Sequence, residues 1–128
     1  MTAPTEPRPR ILVVDDVPAN VRLLEAVLEP AGFATMEATG GVEAVAMTVE
    51  HQPDLVLMDI RMPDLSGTEA LKLLREDSRT AEIPIVALTS STMHGDEERF
   101  LKEGFDGYLA KPISVKEFPD QVRGFLRE

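Results

Sequence analysis

The chain has 128 residues, enough for one domain with a single core and too few for a second globular unit of ordinary size. The absence of cysteine excludes disulfides, thiolate chemistry and cysteine-ligated zinc, and a net charge of −10 without a lysine or arginine cluster argues against nucleic-acid binding. No apolar run approaches the ~20 residues that span a bilayer and the N-terminus lacks the apolar stretch of a signal peptide, so we expect a cytoplasmic protein that does not bind membranes.

The first nine residues differ in composition from the rest of the chain. They contain Pro4, Pro7 and Pro9 and no large apolar residue other than Met1. This composition predicts a disordered tail over residues 1–9 and a folded domain over residues 10–128.

Five short apolar runs then alternate with segments of helical periodicity. The runs, which we predict to be strands, are residues 11–14, 33–36, 55–58, 85–88 and 108–109. Most of them are almost continuously apolar, as is typical of a parallel sheet that is covered on both faces. The alternation predicts an α/β fold, with a doubly wound, five-stranded parallel sheet and helices on both faces.

The helices between the runs are predicted from apolar residues spaced three and four apart. The first helix is expected to begin at Pro18, and the third carries a capping box made by Ser66 and Glu69. The fourth, over residues 96–103, has the weakest apolar stripe because only Phe100 and Leu101 support it.

The last helix is predicted with a second capping box, made by Ser114 and Glu117. Pro119 lies inside the apolar stripe, and a proline in a helix interior costs ~3 kcal/mol. The helix is therefore either kinked or begins near Phe118.

Three polar features away from the strand ends are predicted to be ordinary turn chemistry. Asp54 precedes the third strand and Asp64 follows it, and both are interpreted as solvated turn carboxylates. The segment of residues 39–41, which contains two glycines, is interpreted as a plain turn.

Charged or hydroxyl side chains directly follow four of the five predicted strands. Asp15 and Asp16 follow the first, Asp59 the third and Thr89 the fourth, and Lys111 lies just beyond the fifth. Because the carboxyl ends of parallel strands lie at one edge of a sheet, we expect these side chains to converge. Two carboxylates ~4 Å apart repel by about 4 kcal/mol at an effective dielectric of 20. A divalent cation removes that penalty, and carboxylate oxygens with room for water favour Mg²⁺.

This set of side chains predicts phosphoryl transfer onto Asp59. Mg²⁺ and the Lys111 ammonium would neutralise charge on the transferred group, while the Thr89 hydroxyl donates a hydrogen bond to it. Simpler interpretations exist for each residue: Asp15 or Asp16 caps the first helix, Thr89 belongs to a hydroxyl-rich loop, and Lys111 is a surface lysine.

Four segments match the motifs of one protein family: Val13-Val14-Asp15-Asp16, Met58-Asp59-Ile60-x-x-Pro63, Ala87-Leu88-Thr89 and Tyr108-Leu109-Ala110-Lys111-Pro112. On these residues the chain, over residues 10–128, resembles the receiver domain of bacterial two-component response regulators. The resemblance implies the strand order 2-1-3-4-5. It also implies that Asp59 is the phosphoacceptor, with Asp15 and Asp16 as the acidic pair that binds Mg²⁺ and Lys111 as the lysine that pairs with phosphate.

The resemblance further implies a switch and a set of partners. Thr89 corresponds to the hydroxyl switch residue and Tyr108 to the aromatic one, while Arg61 and Ser91 correspond to residues that influence phosphate lifetime. The donor would be a histidine kinase or a phosphotransfer protein. A downstream effector would bind the surface formed by the fourth helix, fifth strand and fifth helix, and the protein would be a monomer or a phosphorylation-dependent dimer.

Other functions fit parts of the sequence. The chain resembles stand-alone division-control receivers, but the segment from Asp15 to Asn20 also resembles receivers fused to diguanylate cyclases, so it is alternatively a receiver excised from a longer regulator with an output domain. A phosphatase of the haloacid dehalogenase type would need a second aspartate where Arg61 stands. A phosphorylation-independent adaptor would have no use for a repulsive acidic site. We therefore expect a signalling switch that is not an enzyme acting on external substrates.

Overall fold

The computed structural model describes residues 8–89, 96–111 and 113–126. Its strands form one parallel five-stranded sheet in the order β2-β1-β3-β4-β5, which confirms the predicted fold class and strand order. The strands are β1 (Arg10–Val14), β2 (Ala34–Ala38), β3 (Leu55–Asp59), β4 (Ile85–Thr89) and β5 (Gly107–Ala110).

Within the described residues, five α-helices cover the two faces of the sheet. They are α1 (Pro18–Leu28), α2 (Gly41–His51), α3 (Gly67–Glu76), α4 (Asp96–Glu103) and α5 (Phe118–Phe125), and a short 3₁₀ turn (Glu29–Ala31) extends α1. Among the helices of the described ranges, none combines the length and the apolar character needed to traverse a bilayer.

Two apolar cores lie on opposite faces of the sheet. Leu12 and Val14 of β1 pack with residues of α2, α3 and α4, whereas Ile11 and Val13 pack with residues of α1 and α5. All four side chains are fully buried, because successive residues of a strand point to opposite faces and both faces are covered. This double coverage is the physical reason why the strands form continuous apolar runs in the sequence.

The start of the sheet differs slightly from the prediction. Phe33 is a buried core residue but precedes β2, which begins at Ala34, where the ladder with β1 begins. The Pro9 carbonyl accepts a hydrogen bond of 2.9 Å from the Ala34 N–H, so the chain is attached to the sheet from Pro9 onward. The remainder of the predicted tail, residues 1–7, lies outside the described residues.

Helix α5 begins at Phe118, which places Pro119 in its first turn and confirms the second of the two predicted alternatives. A proline is tolerated there because its missing N–H would have no partner within the helix. The capping box predicted at Ser114 and Glu117 is wrong. The Ser114 carbonyl accepts the N–H groups of Glu117 and Phe118, so these residues form a turn and Glu117 precedes the helix without a side-chain cap.

The other predicted capping box is confirmed at the start of α3. The Glu69 N–H donates to Ser66 Oγ at 3.1 Å, and the Ser66 N–H donates to Glu69 Oε1 at 3.2 Å. Asp54 is more than the solvated turn carboxylate that was predicted. Its Oδ2 accepts the Arg10 N–H at 2.7 Å and thereby joins the start of β1 to the turn before β3.

Candidate functional site

The carboxyl ends of the central strands surround one cleft of about 270 Å³. The cleft is lined by Asp15, Asp16, Asp59, Thr89 and Lys111, together with neighbouring residues of α1 and of the loop after β3. The structure therefore brings together all five residues that the sequence placed after the strands. Their convergence follows from the parallel sheet, in which every strand ends at the same edge.

Asp15, directly after β1, is fully buried and has polar partners on both carboxylate oxygens. Oδ1 accepts the Val17 N–H at 2.9 Å, and Oδ2 accepts Lys111 Nζ at 2.8 Å and Asn20 Nδ2 at 3.3 Å. Residue 17 precedes α1 without a side-chain cap, so the alternative interpretation of the aspartate pair as a cap of that helix is wrong. These contacts explain how a carboxylate remains in the interior, since each oxygen has a donor.

Asp59, the last residue of β3, is only 7% exposed. Its Oδ1 accepts the Arg61 N–H at 3.2 Å, and its Oδ2 lies 3.6 Å from Lys111 Nζ. Burial raises the pKa of Asp59 above the ordinary value, and the charges of Asp15 and Asp16 raise it further, against the opposing effects of Lys111 and the Arg61 N–H. Without a metal ion, the negative charge on this carboxylate is therefore less favourable than it would be in water, even with Lys111 nearby.

Lys111 links the two buried carboxylates. Its backbone N–H donates to the Thr89 carbonyl at 2.7 Å, which fixes the position of the residue after β5. Burial alone would lower the pKa of Lys111, but the hydrogen bond with Asp15 and the charges of Asp59 and Asp15 outweigh it and leave the pKa raised. The ammonium therefore stays charged at neutral pH between the two carboxylates.

Asp15, Asp16 and Asp59 together fit a divalent cation. Each offers a carboxylate oxygen, and these oxygens all lie within 4.8 Å of one another. Three carboxylates face one ammonium group, so a net negative charge remains in the cleft. Asp16 is exposed whereas the other two are buried, which leaves one side of the cluster open to water or phosphate oxygens. Hard oxygen ligands with room for water are the donor set that suits Mg²⁺.

The remaining predicted site residues occupy different positions around the cleft. Thr89, 5% exposed, ends β4 and lines the cleft, and Arg61 lines it from the loop after β3 with its side chain exposed. Tyr108 is half-buried on β5, with its ring centre 6.5 Å from that of Phe100 on α4, and does not line the cleft. Ser91 lies outside the described residues.

The family of the chain is decided by comparison with known proteins. The family model of the response regulator receiver domain matches residues 11–123. The chain belongs to the response-regulator receiver family. Among its relatives is the polar-differentiation response regulator DivK of Brucella anthropi, 39% identical over 116 residues, which are 91% of this chain and 94% of that protein.

Solved structures agree with this assignment to the receiver family. The chemotaxis protein CheY4 of Vibrio cholerae is 27% identical and has a TM-score of 0.86, with coverage of 93% of this chain and 99% of that one. The receiver domain of a sensor histidine kinase from Pseudomonas aeruginosa is 33% identical and has a TM-score of 0.84, with coverage of 92% and 97%. That domain is described with a magnesium ion coordinated in its active-site cleft. The chain is thus a receiver domain of two-component signalling.

One polar residue of the cleft was not predicted, and one carboxylate outside the cleft has contacts that were not predicted. Asn20, in the first turn of α1, lines the cleft and donates to Asp15. It belongs to the segment from Asp15 to Asn20 that resembles other receivers, and this was its signal in the sequence. Asp64, interpreted as a solvated turn carboxylate, instead accepts the N–H groups of Gly41 and Val42 at the start of α2. No local pattern indicated this contact, because its partners lie 22 and 23 residues earlier in the chain.

Proposed function

We propose that this receiver domain accepts a phosphoryl group on Asp59 from the phosphohistidine of a histidine kinase or a phosphotransfer protein. A carboxylate oxygen of Asp59 forms a bond to phosphorus while the phosphorus–nitrogen bond of the donor breaks, and the product is an acyl phosphate. The donor imidazole leaves with the electron pair of that bond. The reaction changes the receiver itself, so the protein is a signalling switch and not an enzyme with an external substrate.

One observation carries the proposal: Asp59 ends its strand in a cleft where Lys111 Nζ lies 3.6 Å from its Oδ2. An ammonium group at that distance can pair with the oxygens of a phosphoryl group on Asp59, because phosphate adds about two negative charges. Lys111 would exchange its contact with Asp15 for one with the phosphoryl group. The exposed side of the cleft, at Asp16 and Arg61, is where the donor would approach the carboxylate.

Asp15, Asp16 and Asp59 are the residues that would hold Mg²⁺. When bound, the cation neutralises charge on the carboxylates and on the phosphoryl oxygens. The clustering of the three carboxylate oxygens within 4.8 Å supports this assignment, as does the magnesium ion described for the Pseudomonas receiver domain. The cation and Lys111 together would balance a site that otherwise carries excess negative charge.

Thr89 and Tyr108 would transmit the change to a partner. The Thr89 hydroxyl moves toward the phosphoryl oxygens, and the Tyr108 ring, now half-buried against Phe100, packs further inward. A hydrogen bond of ~1 kcal/mol and ring burial of ~2 kcal/mol would together shift a two-state equilibrium by about two decades. The surface of α4, β5 and α5 would then bind a downstream protein in the cytoplasm, with the receiver as a monomer or a phosphorylation-dependent dimer.

Phosphorylation by a small donor tests the proposal. The protein is incubated with acetyl phosphate and Mg²⁺, and intact-mass spectrometry follows the modification. We expect one phosphoryl group that hydroxylamine removes, that is absent in Asp59→Asn, and that persists in the control Asp120→Asn, whose side chain is 84% exposed. A modification that survives in Asp59→Asn, or that resists hydroxylamine, would refute the assignment of Asp59.

A further inference from the structure

The Asp64 side chain connects the loop between β3 and α3 to the start of α2 by hydrogen bonds. The Asp64 carboxylate accepts the Gly41 N–H at 3.0 Å and the Val42 N–H at 3.1 Å, and it also accepts the Leu65 N–H at 2.8 Å. The hydrogen bonds from Val42 and Gly41 hold the pKa of Asp64 below its ordinary value, so the carboxylate stays charged at neutral pH. A charged acceptor for two N–H groups at the start of a helix is a favourable electrostatic arrangement.

Two glycines allow this close contact between the loop and α2. A Cβ atom at Gly41 would collide with the Leu65 carbonyl oxygen, and one at Gly40 would lie 2.9 Å from the Asp64 carboxylate. The backbone of the loop therefore packs directly against the backbone that begins α2. The segment of residues 39–41, which was predicted to be a plain turn, thus completes the contact with Asp64.

The same loop also holds Asp59 in place. The Arg61 N–H donates to Asp59 Oδ1 at 3.2 Å, and the Ile60 N–H donates to the Leu88 carbonyl of β4 at 3.2 Å. The loop closes where the Gly67 N–H donates to the Ile60 carbonyl at 2.9 Å. The orientation of the Asp59 carboxylate therefore depends on the path of this loop.

We propose that Asp64 is a positioning residue for phosphoryl transfer at Asp59, acting through the loop that it fastens to α2. The inference rests on the proposed function, since it concerns the rate of that reaction. With Asp64 in place, the Arg61 N–H is held at the distance that orients Asp59. Without it, the loop loses its attachment to α2, and the nucleophile samples orientations that do not react.

Asp54 provides a matched control for a purely structural effect. It too is an exposed loop aspartate that accepts a backbone N–H from a distant segment, that of Arg10 at 2.7 Å. Asp54 precedes β3 and Asp64 follows it, so Asp54 lies at the sheet edge opposite the cleft. Asp54→Ala removes one backbone hydrogen bond, where Asp64→Ala removes three, and it does not touch the loop that carries Arg61.

The test compares Asp64→Ala, Asp64→Asn and Asp54→Ala with the wild type. Each protein is phosphorylated by acetyl phosphate at saturating Mg²⁺, and urea unfolding is measured in parallel. We expect Asp64→Ala to react about tenfold more slowly, less than the roughly hundredfold loss that a misplacement of about 1 Å can cause, because the Ile60 and Gly67 hydrogen bonds still restrain the loop. Asp64→Asn, which keeps an acceptor oxygen, should recover most of the rate, and Asp54→Ala should react at the wild-type rate despite reduced stability.

The inference is overturned if Asp64→Ala reacts at the wild-type rate, or if Asp54→Ala is slowed equally. Should Asp64→Ala not fold, Asp64→Ser takes its place, because a single hydroxyl cannot accept all three N–H groups that Asp64 accepts, and a wild-type rate in that variant also overturns the inference. Failure of the proposed function has a different signature. In that case the wild type is not phosphorylated, or Asp59→Asn is still modified.

Discussion

Replacing Asp59 by asparagine is expected to stabilise the metal-free protein and to remove most of its stabilisation by Mg²⁺. The substitution keeps the size of the side chain, and the asparagine carbonyl can still accept the Arg61 N–H that now donates to Asp59 Oδ1. It removes one negative charge from a buried cluster. The change therefore isolates the electrostatic contribution of a single carboxylate.

The distances in the cleft give the size of the effect. At an effective dielectric of 20, the 3.6 Å contact between Asp59 and Lys111 is worth about 4.6 kcal/mol of attraction. A carboxylate of Asp15 within 4.8 Å repels Asp59 by at least about 3.5 kcal/mol at the same dielectric, and the exposed Asp16 carboxylate adds a weaker, solvent-screened repulsion. The attraction and the repulsion almost cancel, and desolvation of a buried carboxylate costs several kcal/mol more. We expect Asp59→Asn to raise the free energy of unfolding by about 1–2 kcal/mol, or Tm by about 4–8 °C.

Mg²⁺ should reverse the order of the two proteins. At a hundred times its Kd, a ligand that binds only the folded state stabilises it by about 2.7 kcal/mol, more than the advantage of Asp59→Asn in the metal-free state. The wild type should gain this amount and Asp59→Asn much less, because one of the three carboxylates is lost. Thermal unfolding in EDTA and in Mg²⁺ measures both effects, followed by circular dichroism because the chain has no tryptophan. The reasoning is refuted if Mg²⁺ raises the Tm of both proteins equally, or if Asp59→Asn is less stable than the wild type in EDTA. As a control, Asp120→Asn should respond to Mg²⁺ like the wild type.

Two further predictions concern charged groups away from the cleft. Arg75 is 23% exposed and donates to the Gly104 carbonyl, to Asp106 Oδ2 and to carbonyls of the loop before β4. Arg75→Lys should therefore lower the free energy of unfolding, measured in urea, by about 2 kcal/mol. Arg79→Lys, at a 64% exposed site, should leave the free energy of unfolding nearly unchanged. If Arg75→Lys and Arg79→Lys lose equal stability, burial and multiple hydrogen bonds do not explain the importance of Arg75. Hydrogen bonds from the side chain and the backbone N–H of Arg79 lower the pKa of Asp77 to about 2, so their stabilising effect is present above pH 3.8 and is lost as the pH falls toward 2. Asp77→Asn should not lose stability in this way between pH 3.8 and 2. If its stability depends on pH in that range as that of the wild type does, the stabilising role given to the Asp77 charge is wrong.

The strands and the cleft were predictable because the same physical rule governs both. A parallel sheet buried on both faces requires apolar runs, and it brings the residues after those runs to one edge. The positions after the apolar runs were therefore enough to predict that Asp15, Asp59 and Lys111 belong to one site. The boundary at Phe33 was missed because an apolar side chain can reach the core from just outside a strand as well as from within it.

The capping boxes show where local patterns are insufficient. Ser66 and Glu69 cap α3, whereas Ser114 and Glu117 have the same spacing and form a turn. The difference is Pro119, which fits only the first turn of a helix and so sets the start of α5 at Phe118. The steric restriction that Pro119 places on the backbone therefore outweighed the preference of Ser114 and Glu117 for a capping box, and it set the start of α5.

Asp59 at the end of β3 and Asp64 in the loop that follows show that surroundings can shift the pKa values of identical side chains in opposite directions. Burial raises the pKa of Asp59, while hydrogen bonds from the N–H groups of Val42 and Gly41 lower the pKa of Asp64, both from an ordinary value of 3.8. On acidification of the metal-free protein, Asp59 therefore loses its charge before Asp64 does. Protonation relieves the repulsion in the cleft while the loop remains fastened to α2, so the carboxylate proposed to react can change its charge without releasing the backbone that orients it.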